Sequence, residues 1–302
     1  MDFHQLEYII AIAEENNITR AAEKLFISQS ALNQQLLKLE KELGCQLFHR
    51  SRTDWHLTEA GEIYVSAARR ALLLKKDTYK RISDLNHSQN TALKIGLTPH
   101  RGFKMFTEIY PKLHEQYYNL FISPIEMSVQ DQLAALKRGD IDLGFVTLTN
   151  DQKDSNEYLT IKNEEYVVAV PKIHPLCEKA APEGEPLTEI SINELEHEPF
   201  AMPYKISTSY PLCKKIFDDA DISPMVLFET SSMPSMVSMV KLNLCCGILP
   251  RYHVDPNDPD YRCFSLKEHP SWEICIVYRR NSYVSESAQA FIELVKEYWT
   301  MH

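Results

Sequence analysis

Gln29, Ser30, Asn33, Gln34 and Lys38 fall on one side of a helical segment that opens at Ser28. Their amides, hydroxyls and ammonium are short, directional groups, the chemistry that reads donor and acceptor edges in a DNA major groove. The same residues describe the solvated face of an ordinary amphipathic helix, so at this point both readings stand. The stretch CQLFHRSRTDWHLT that follows sets two short apolar runs around a polar turn, with Arg50, Arg52 and Thr53 near its tip. That is the pattern of a β-wing whose cations meet phosphates or a minor groove.

Other chemistry is poorly supplied. None of the eight glycines builds a G-x-G-x-x-G or Walker-type loop, and no G-x-S-x-G elbow occurs. The eleven histidines contain no H-x-x-H or H-E-x-x-H spacing, and the seven cysteines are odd in number with no C-x-x-C. No zinc site, no disulfide framework, no cofactor and no catalytic residues are therefore expected, although composition alone does not exclude a Ser/His/Asp set. One thiol, Cys213, has adjacent cations in Lys214 and Lys215, the setting of a redox-sensing thiolate. Cys245 and Cys246 lie at a turn.

The elements that must position these groups follow from periodicity. In residues 3–15, Phe3, Leu6, Ile9, Ile10 and Ala13 recur at helical spacing, and Asn16-Asn17 ends that helix. Thr19 is the expected N-cap of a short second helix with Ala21, Ala22 and Leu25 inward; Phe26-Ile27 form a tight connection. Ser28 N-caps the third helix, to about Leu43, with Ala31, Leu32, Gln35 or Leu36, and Leu39 inward and Gly44 as its stop. Two short helices so joined make a helix-turn-helix. Thr58 caps a long helix to about Leu85, on which Ile63, Ala67, Ala71, Leu74, Thr78, Ile82 and Leu85 form one apolar stripe. A long helix with a single seam and no local partner pairs with another chain. The polar stretch 87–91 reads as a hinge.

Beyond it, strands alternate with helices. Strands are expected at 92–97, 120–127, 141–146, 164–171, 225–230, 262–266 and 273–279. Helices are expected at 100–118 (interrupted by Pro111), 129–138, 192–197, 210–219, 233–242 and 286–299. Alternation of this kind implies mostly parallel sheets covered by helices, in two sub-lobes.

Charge divides unevenly. Of the net −10, residues 1–90 contribute nothing (12 Lys/Arg, 12 Asp/Glu), whereas 91–302 carry 20 and 30. Arg20 to His56 holds six basic side chains against four acids, a local excess that permits phosphate contact. The N-terminus has no basic region followed by an apolar one, and no apolar run approaches the roughly 20 residues of a membrane span. A cytoplasmic protein with no membrane partner is expected.

Taken together, ITRAAEKLFISQSALNQQLLKLEKELGCQLFHR and LTEAG at 57–61 resemble the LysR-type transcriptional regulators, and the likeness extends over essentially the whole chain. The resemblance favours DNA reading over a merely solvated helix face. It implies an α+β and α/β protein: a winged helix-turn-helix (1–58), a linker and dimerisation helix (59–87), and a two-lobed α/β effector domain (88–302) similar to type 2 periplasmic binding proteins. The chain is expected to cross between the lobes near 160–165 and 265–272. Where the family commonly carries Pro, Ser and Arg, this chain has Ser30, Asn33 and Gln34. Gln pairs with adenine where Arg favours guanine, so an altered half-site is expected. Phosphate work then falls on Arg50, Arg52 and Lys38.

In such two-lobed folds ligands sit beyond strand ends, against helix N-termini. Thr98, expected to N-cap the next helix, lies there with Pro99 and His100, as does Ser128, a second cap. By likeness to the family, Thr147 faces the same cleft, and Met202, Pro203 and Lys205 supply the opposite wall. The implied partners are a pseudo-palindromic double-stranded DNA site, a small and anionic effector, and further copies of the chain as a dimer and tetramer. A redox-sensing regulator of the same family, and a solute-binding protein without DNA function, are the alternatives. In the family's pattern Asn243 and Cys245 stand where glycines are usual, so the turn between them is expected to differ.

Overall fold

The computed structural model of the protein describes residues 2–51, 55–86, 92–117 and 121–301. The chain divides into two compact units, residues 1–91 with 281–286 and residues 92–280 with 287–302.

In the first unit, α1 (Phe3–Glu15) opens on Asp2, whose carboxylate accepts from His4 N, and closes on Asn16 in the left-handed region, φ 48°. Next, α2 (Ile18–Lys24) is capped by Asn17, which accepts from Thr19 N at 2.8 Å and Arg20 N at 3.1 Å. This corrects the expected Thr19 cap: Asn17, two residues earlier, accepts from the first-turn N–H groups, so the helix begins before Thr19. As expected, α3 (Gln29–Leu43) starts at Ser28, whose hydroxyl accepts from Ala31 N, and stops at Gly44 with φ 71°. Leu32, Leu36 and Leu39 point inward, Leu36 rather than Gln35 taking the position for which either was expected; Ala31, also expected inward, is exposed. Glu40, near the end of the helix, is buried as well.

The wing is an antiparallel pair, β1 (Phe48–Arg50) with β2 (Trp55–Leu57), in the register Phe48↔Leu57. The long helix α4 (Glu59–Leu85) is capped by Thr58, which accepts from Gly61 N and donates to the Gln46 carbonyl. Gly61 explains the tightness of that junction. A Cβ there would stand 2.0 Å from the Leu47 carbonyl oxygen, so only glycine lets the helix rest on the wing's entry. Leu6, Ile9, Ile12, Ala21, Leu32, Leu36, Phe48, Tyr64, Val65 and Ala68 make the core of this unit. Ile63, Leu74, Ile82 and Leu85 along α4 are exposed. The expected hinge 87–91 lies outside the described residues.

In the second unit the elements run β3 (Leu93–Leu97), α5 (Arg101–Gln116), β4 (Ile122–Glu126), α6 (Val129–Arg138), β5 (Leu143–Leu148), β6 (Glu157–Pro171), β7 (Glu189–Ile190), β8 (Pro199–Pro203), α7 (Ser209–Asp219), β9 (Met225–Thr230), α8 (Met233–Lys241), β10 (Cys246–Pro250), β11 (Tyr261–Leu266), β12 (Ser271–Tyr278) and α9 (Glu286–Met301). The strand order is β4-β3-β5-β12-β6-β10-β8-β9, with β11 pairing β6 and β7. Pairing is parallel for β4-β3-β5 and for β10-β8-β9. Between these groups it is antiparallel: β12 with β5 and β6, and β6 with β10 and β11. The expectation of mostly parallel sheets therefore holds only for the outer strands of each lobe.

The β6 strand is much longer than the expected 164–171. Residues 157–165 pair with β12, and 166–171 with β10 and β11, so one strand belongs to both lobes. Pro111 lies within α5 without ending it. The expected helix at 192–197 is a 3-10 turn, Ile192–Leu195, held by the Ser191/Glu194 capping box. β8 escaped the sequence reading because PFAMP, with a proline at each end, has the composition of a loop. It pairs with β9 and β10, both distant in sequence. α9 buries Ala288, Phe291, Ile292, Val295 and Trp299, as its spacing indicates. Among the described residues no helix is long and apolar enough to cross a membrane.

Candidate nucleic-acid interface and effector cavity

Ser28, Gln29, Ser30, Gln34 and Lys38 are exposed on α3, and Asn33 is half-buried. The Ser28 and Ser30 hydroxyls lie 3.1 Å apart, joining the cap to the first turn. With the core side of α3 fixed by Leu32, Leu36 and Leu39, these polar groups are held outward as a row of donors and acceptors. Glu40 sits beneath the wing, accepting from Leu47 N at 2.9 Å and from the Arg50 guanidinium, which also lies 5.3 Å from the Trp55 ring centre. Arg50 is therefore anchored from inside rather than loose at the tip. A guanidinium has more donors than one carboxylate uses, so it can brace the wing and still face a phosphate. Arg52 and Thr53 lie outside the described residues.

In the second unit, a cavity of about 470 Å³ is lined from both lobes. One lobe gives Thr98, Pro99, His100, Arg101, Ser128, Val129, Gln130 and Thr147. The other gives Tyr204, Ile206 to Ser209, Ser231, Met233 and His253, with Trp272 from β12. All five cavity residues expected in the first lobe are on the wall. Met202, Pro203 and Lys205 are not: Met202 packs in the second lobe's core, Pro203 is buried, and Lys205 is exposed away from the lining. The alternation of β8 turns Met202 inward, so the wall is built one to six residues later.

Helix starts surround this space. His100 begins α5 with φ 59° and makes no side-chain cap, which corrects the expected Thr98 cap. A tight turn at His100 (φ 59°, ψ −76°), closed by Arg101 N donating to the Pro99 carbonyl at 2.8 Å, delays the helix until Arg101, and Thr98 and Pro99 lie ahead of it. The Thr98 hydroxyl oxygen is out of water and has no hydrogen-bond partner. Ser128 caps α6 as expected, accepting from Asp131 N and donating to the Asp131 carboxylate. Thr208 begins α7 without a side-chain cap, and Ser232 caps α8 beside the lining residues Ser231 and Met233. Four helix N-termini thus point their partial positive charge at one cavity. One amide spans it, Gln130 donating to the Ile206 carbonyl at 2.9 Å; outside the lining, Gln152 donates to the Thr208 carbonyl at 3.1 Å.

Under the cavity lies a buried ion pair. Arg101, 3% exposed, donates to both oxygens of Glu164, 6% exposed. Glu164 also accepts from Tyr252 N and the Trp272 indole. The Arg101 guanidinium is stacked near Tyr252, 4.7 Å from its ring centre. Beside it, burial first and then the Arg101 and His100 charges push the His253 imidazole down to about 3, so it is neutral near neutral pH. Sequence reasoning missed Arg101, Glu164, His253 and Trp272, which approach one another only through the fold.

A larger hollow, about 1000 Å³, runs along α7 past Asn150, Ile192, Lys215 and Ser271. Its single Lys215 is countered by Asp151, Asp219 and Glu268, and no buried unpartnered polar atom lies on its wall. The smaller cavity, by contrast, is lined by four helix starts and by Thr98, whose hydroxyl has no partner. Cys213, the expected redox candidate, is fully buried, and burial pushes its thiol up to about 12. Cys45 is the exposed free thiol among the described residues. Asn243 takes the left-handed turn, φ 59°, while Cys245 is buried at ordinary φ.

A family model described as the LysR substrate binding domain matches residues 86–300, and one described as bacterial regulatory helix-turn-helix protein, lysR family, matches residues 3–62. The chain is 28% identical to the uncharacterized HTH-type transcriptional regulator YcgK of Bacillus subtilis (strain 168), covering 98% of this chain and 94% of that protein. Full-length OxyR from Pseudomonas aeruginosa, in a variant form, shares the fold with a TM-score of 0.67 and 24% identity, over 99% of this chain and 94% of that one. Full-length CbnR, solved with its target DNA, gives a TM-score of 0.53 and 21% identity, over 99% of each.

Proposed function

This chain belongs to the LysR family of bacterial transcriptional regulators, with a DNA-binding helix-turn-helix and an effector-binding domain, and from that premise we propose how its two halves divide the work. Residues 1–58 read DNA, 59–87 pair two chains, and 88–302 sense a small molecule. The DNA contacts are Ser28, Gln29, Ser30, Asn33, Gln34 and Lys38 on the recognition helix, with Arg50, Arg52 and Thr53 on the wing. Pairing through the exposed Ile63, Leu74, Ile82 and Leu85 seam places two recognition helices on one pseudo-palindromic site. Two such dimers associate through their effector domains, and the protein works in the cytoplasm.

The effector is a small anion with an apolar body. The observation that carries this is the Thr98 hydroxyl, buried without a partner among four helix N-termini. Pro99, Ile206, Met233 and Trp272 receive the apolar part. Ligand that grips both lobes favours one arrangement of the assembly over another, which is the differential affinity that switching requires.

Thermal-shift screening of the full chain against carboxylates and their neutral amides tests the sensor reading; stabilisation by carboxylates alone is expected, and stabilisation by neutral compounds alone rejects it. On the DNA side, Lys38→Ala should lower affinity for all duplexes alike and reduce the slope of log K against log salt by about one. A purely sequence-selective defect would assign Lys38 to bases instead.

A further inference from the structure

The corner between α2 and α3 contains an aromatic side chain with no place in the fold. Phe26 is 96% exposed, more than any other large apolar residue among those described; Leu85 follows at 80%. Its backbone is in the left-handed region, φ 55°. Six other non-glycine residues among those described have positive φ, and all are Asn, Asp or His, the types that tolerate it. Phe26 alone is bulky and apolar.

The backbone bonds show why the ring is held outward. Phe26 N donates to Glu23 O at 3.1 Å and Ile27 N to Ala22 O at 3.0 Å. These two bonds are the C-terminal lock of α2, in which the residue after the cap, here Phe26, must be left-handed and is usually glycine. Ile27 then turns inward and Ser28 starts α3. Phe26 is thus pinned in a strained conformation, its ring in water, two residues before the cap of the recognition helix. Glycine or asparagine would remove both the strain and the exposed apolar surface.

We propose that Phe26 is a DNA contact, its ring lying on the apolar C–H surface of the groove wall, deoxyribose or thymine methyl, beside the point where α3 enters. This rests on the DNA-reading role of α3 set out above. In a helix-turn-helix the first helix crosses the backbone while the start of the second meets base edges. The corner joining them lies over the lip of the groove, where phosphate contacts are polar and an aromatic ring finds only sugar and methyl groups. Burying the ring there recovers what its exposure in the free protein forfeits.

The test uses the full-length chain and a duplex recovered by selection from a randomised library with the wild-type protein. If selection recovers no preferred duplex, the DNA-reading role itself fails. Given such a duplex, Phe26→Asn should raise the melting temperature of the free protein and weaken duplex binding about tenfold, with the salt slope unchanged because no charge is removed. Phe26→Tyr should keep most of the affinity. Replacing thymine by deoxyuridine at each position in turn tells methyl from sugar: one uracil that costs wild type and not Phe26→Asn marks a methyl contact, and none marks the sugar. Unchanged affinity in Phe26→Asn overturns the proposal. So does a fall in melting temperature alongside the loss of affinity, which makes the ring a structural support. A weakened self-association without DNA, measured by sedimentation, assigns the ring to a second copy of the chain and also overturns it.

Discussion

Arg101 and Glu164 meet through two hydrogen bonds, 2.5 and 3.0 Å, with both side chains almost wholly out of water. The guanidinium comes from the first turn of α5 and the carboxylate from β6, the strand shared by both lobes. With Tyr252 N and the Trp272 indole completing its acceptors, Glu164 is fully satisfied. The pair therefore ties the cavity floor to the spine of the domain.

Removing one partner of such a pair leaves the other buried and uncompensated. Glu164→Gln should cost about 3–5 kcal/mol of stability, most of it the stranded Arg101 charge. Chemical denaturation of the full chain, followed by Trp fluorescence, measures it. A loss below about 1 kcal/mol would show that water reaches the guanidinium.

The neutral His253 gives the fold a definite pH dependence. Its folded pKa, pushed down to about 3 from the ordinary 6.5, means that the unfolded chain binds a proton that the folded chain refuses. Stability associated with this residue is complete above about pH 6.5 and declines as pH falls toward 3. Carboxylates titrate in the same window, so the measurement is a comparison: the stability–pH curve of His253→Gln should fall less steeply between pH 6.5 and 4 than that of wild type. Superimposable slopes would mean that the imidazole is protonated in the fold.

Thr98→Val keeps the shape of the side chain and deletes its orphan hydroxyl. Without effector the variant should be as stable as wild type or more so by about 1 kcal/mol, because an unmet polar group no longer sits out of water. With a carboxylate ligand found by screening, the stabilisation should shrink. A variant clearly less stable without ligand would show that the hydroxyl already has a partner.

Thiol reactivity separates the metabolite reading from a redox one. With its thiol held up to about 12 in a fully buried site, Cys213 carries almost no thiolate at neutral pH. Brief native alkylation followed by mass spectrometry should label Cys45 first and leave Cys213 unmodified, and mild peroxide should spare Cys213. Selective oxidation of Cys213 would favour the redox reading.

Local chemistry was legible in the sequence. Ser28, Thr58 and Ser128 cap the helices expected of them, because a hydroxyl and the N–H groups two or three residues on depend on little else. Reading failed where two local solutions compete or a distant partner decides. Asn17 and Thr19 could each cap α2, and only the chain's path after Asn16 chose. Thr98 lost its capping role to a tight turn at His100, which no local preference announces. β8 exists because β9 and β10 pair with it, and Glu40 is buried because Arg50 and Leu47 N come back to it from the wing. The near wall of the cavity was likewise visible as helix starts after strands, whereas the far wall depended on which face of β8 turned inward.

The length of β6 has one more consequence. Because the single strand Glu157–Pro171 is paired into both lobes, with one irregularity opposite Ile274 and Cys275, melting either lobe frees half of a strand that the other still holds. The sensing half should therefore denature as a single cooperative body, with the amides in the middle of that strand surrendering their protons to solvent last of all.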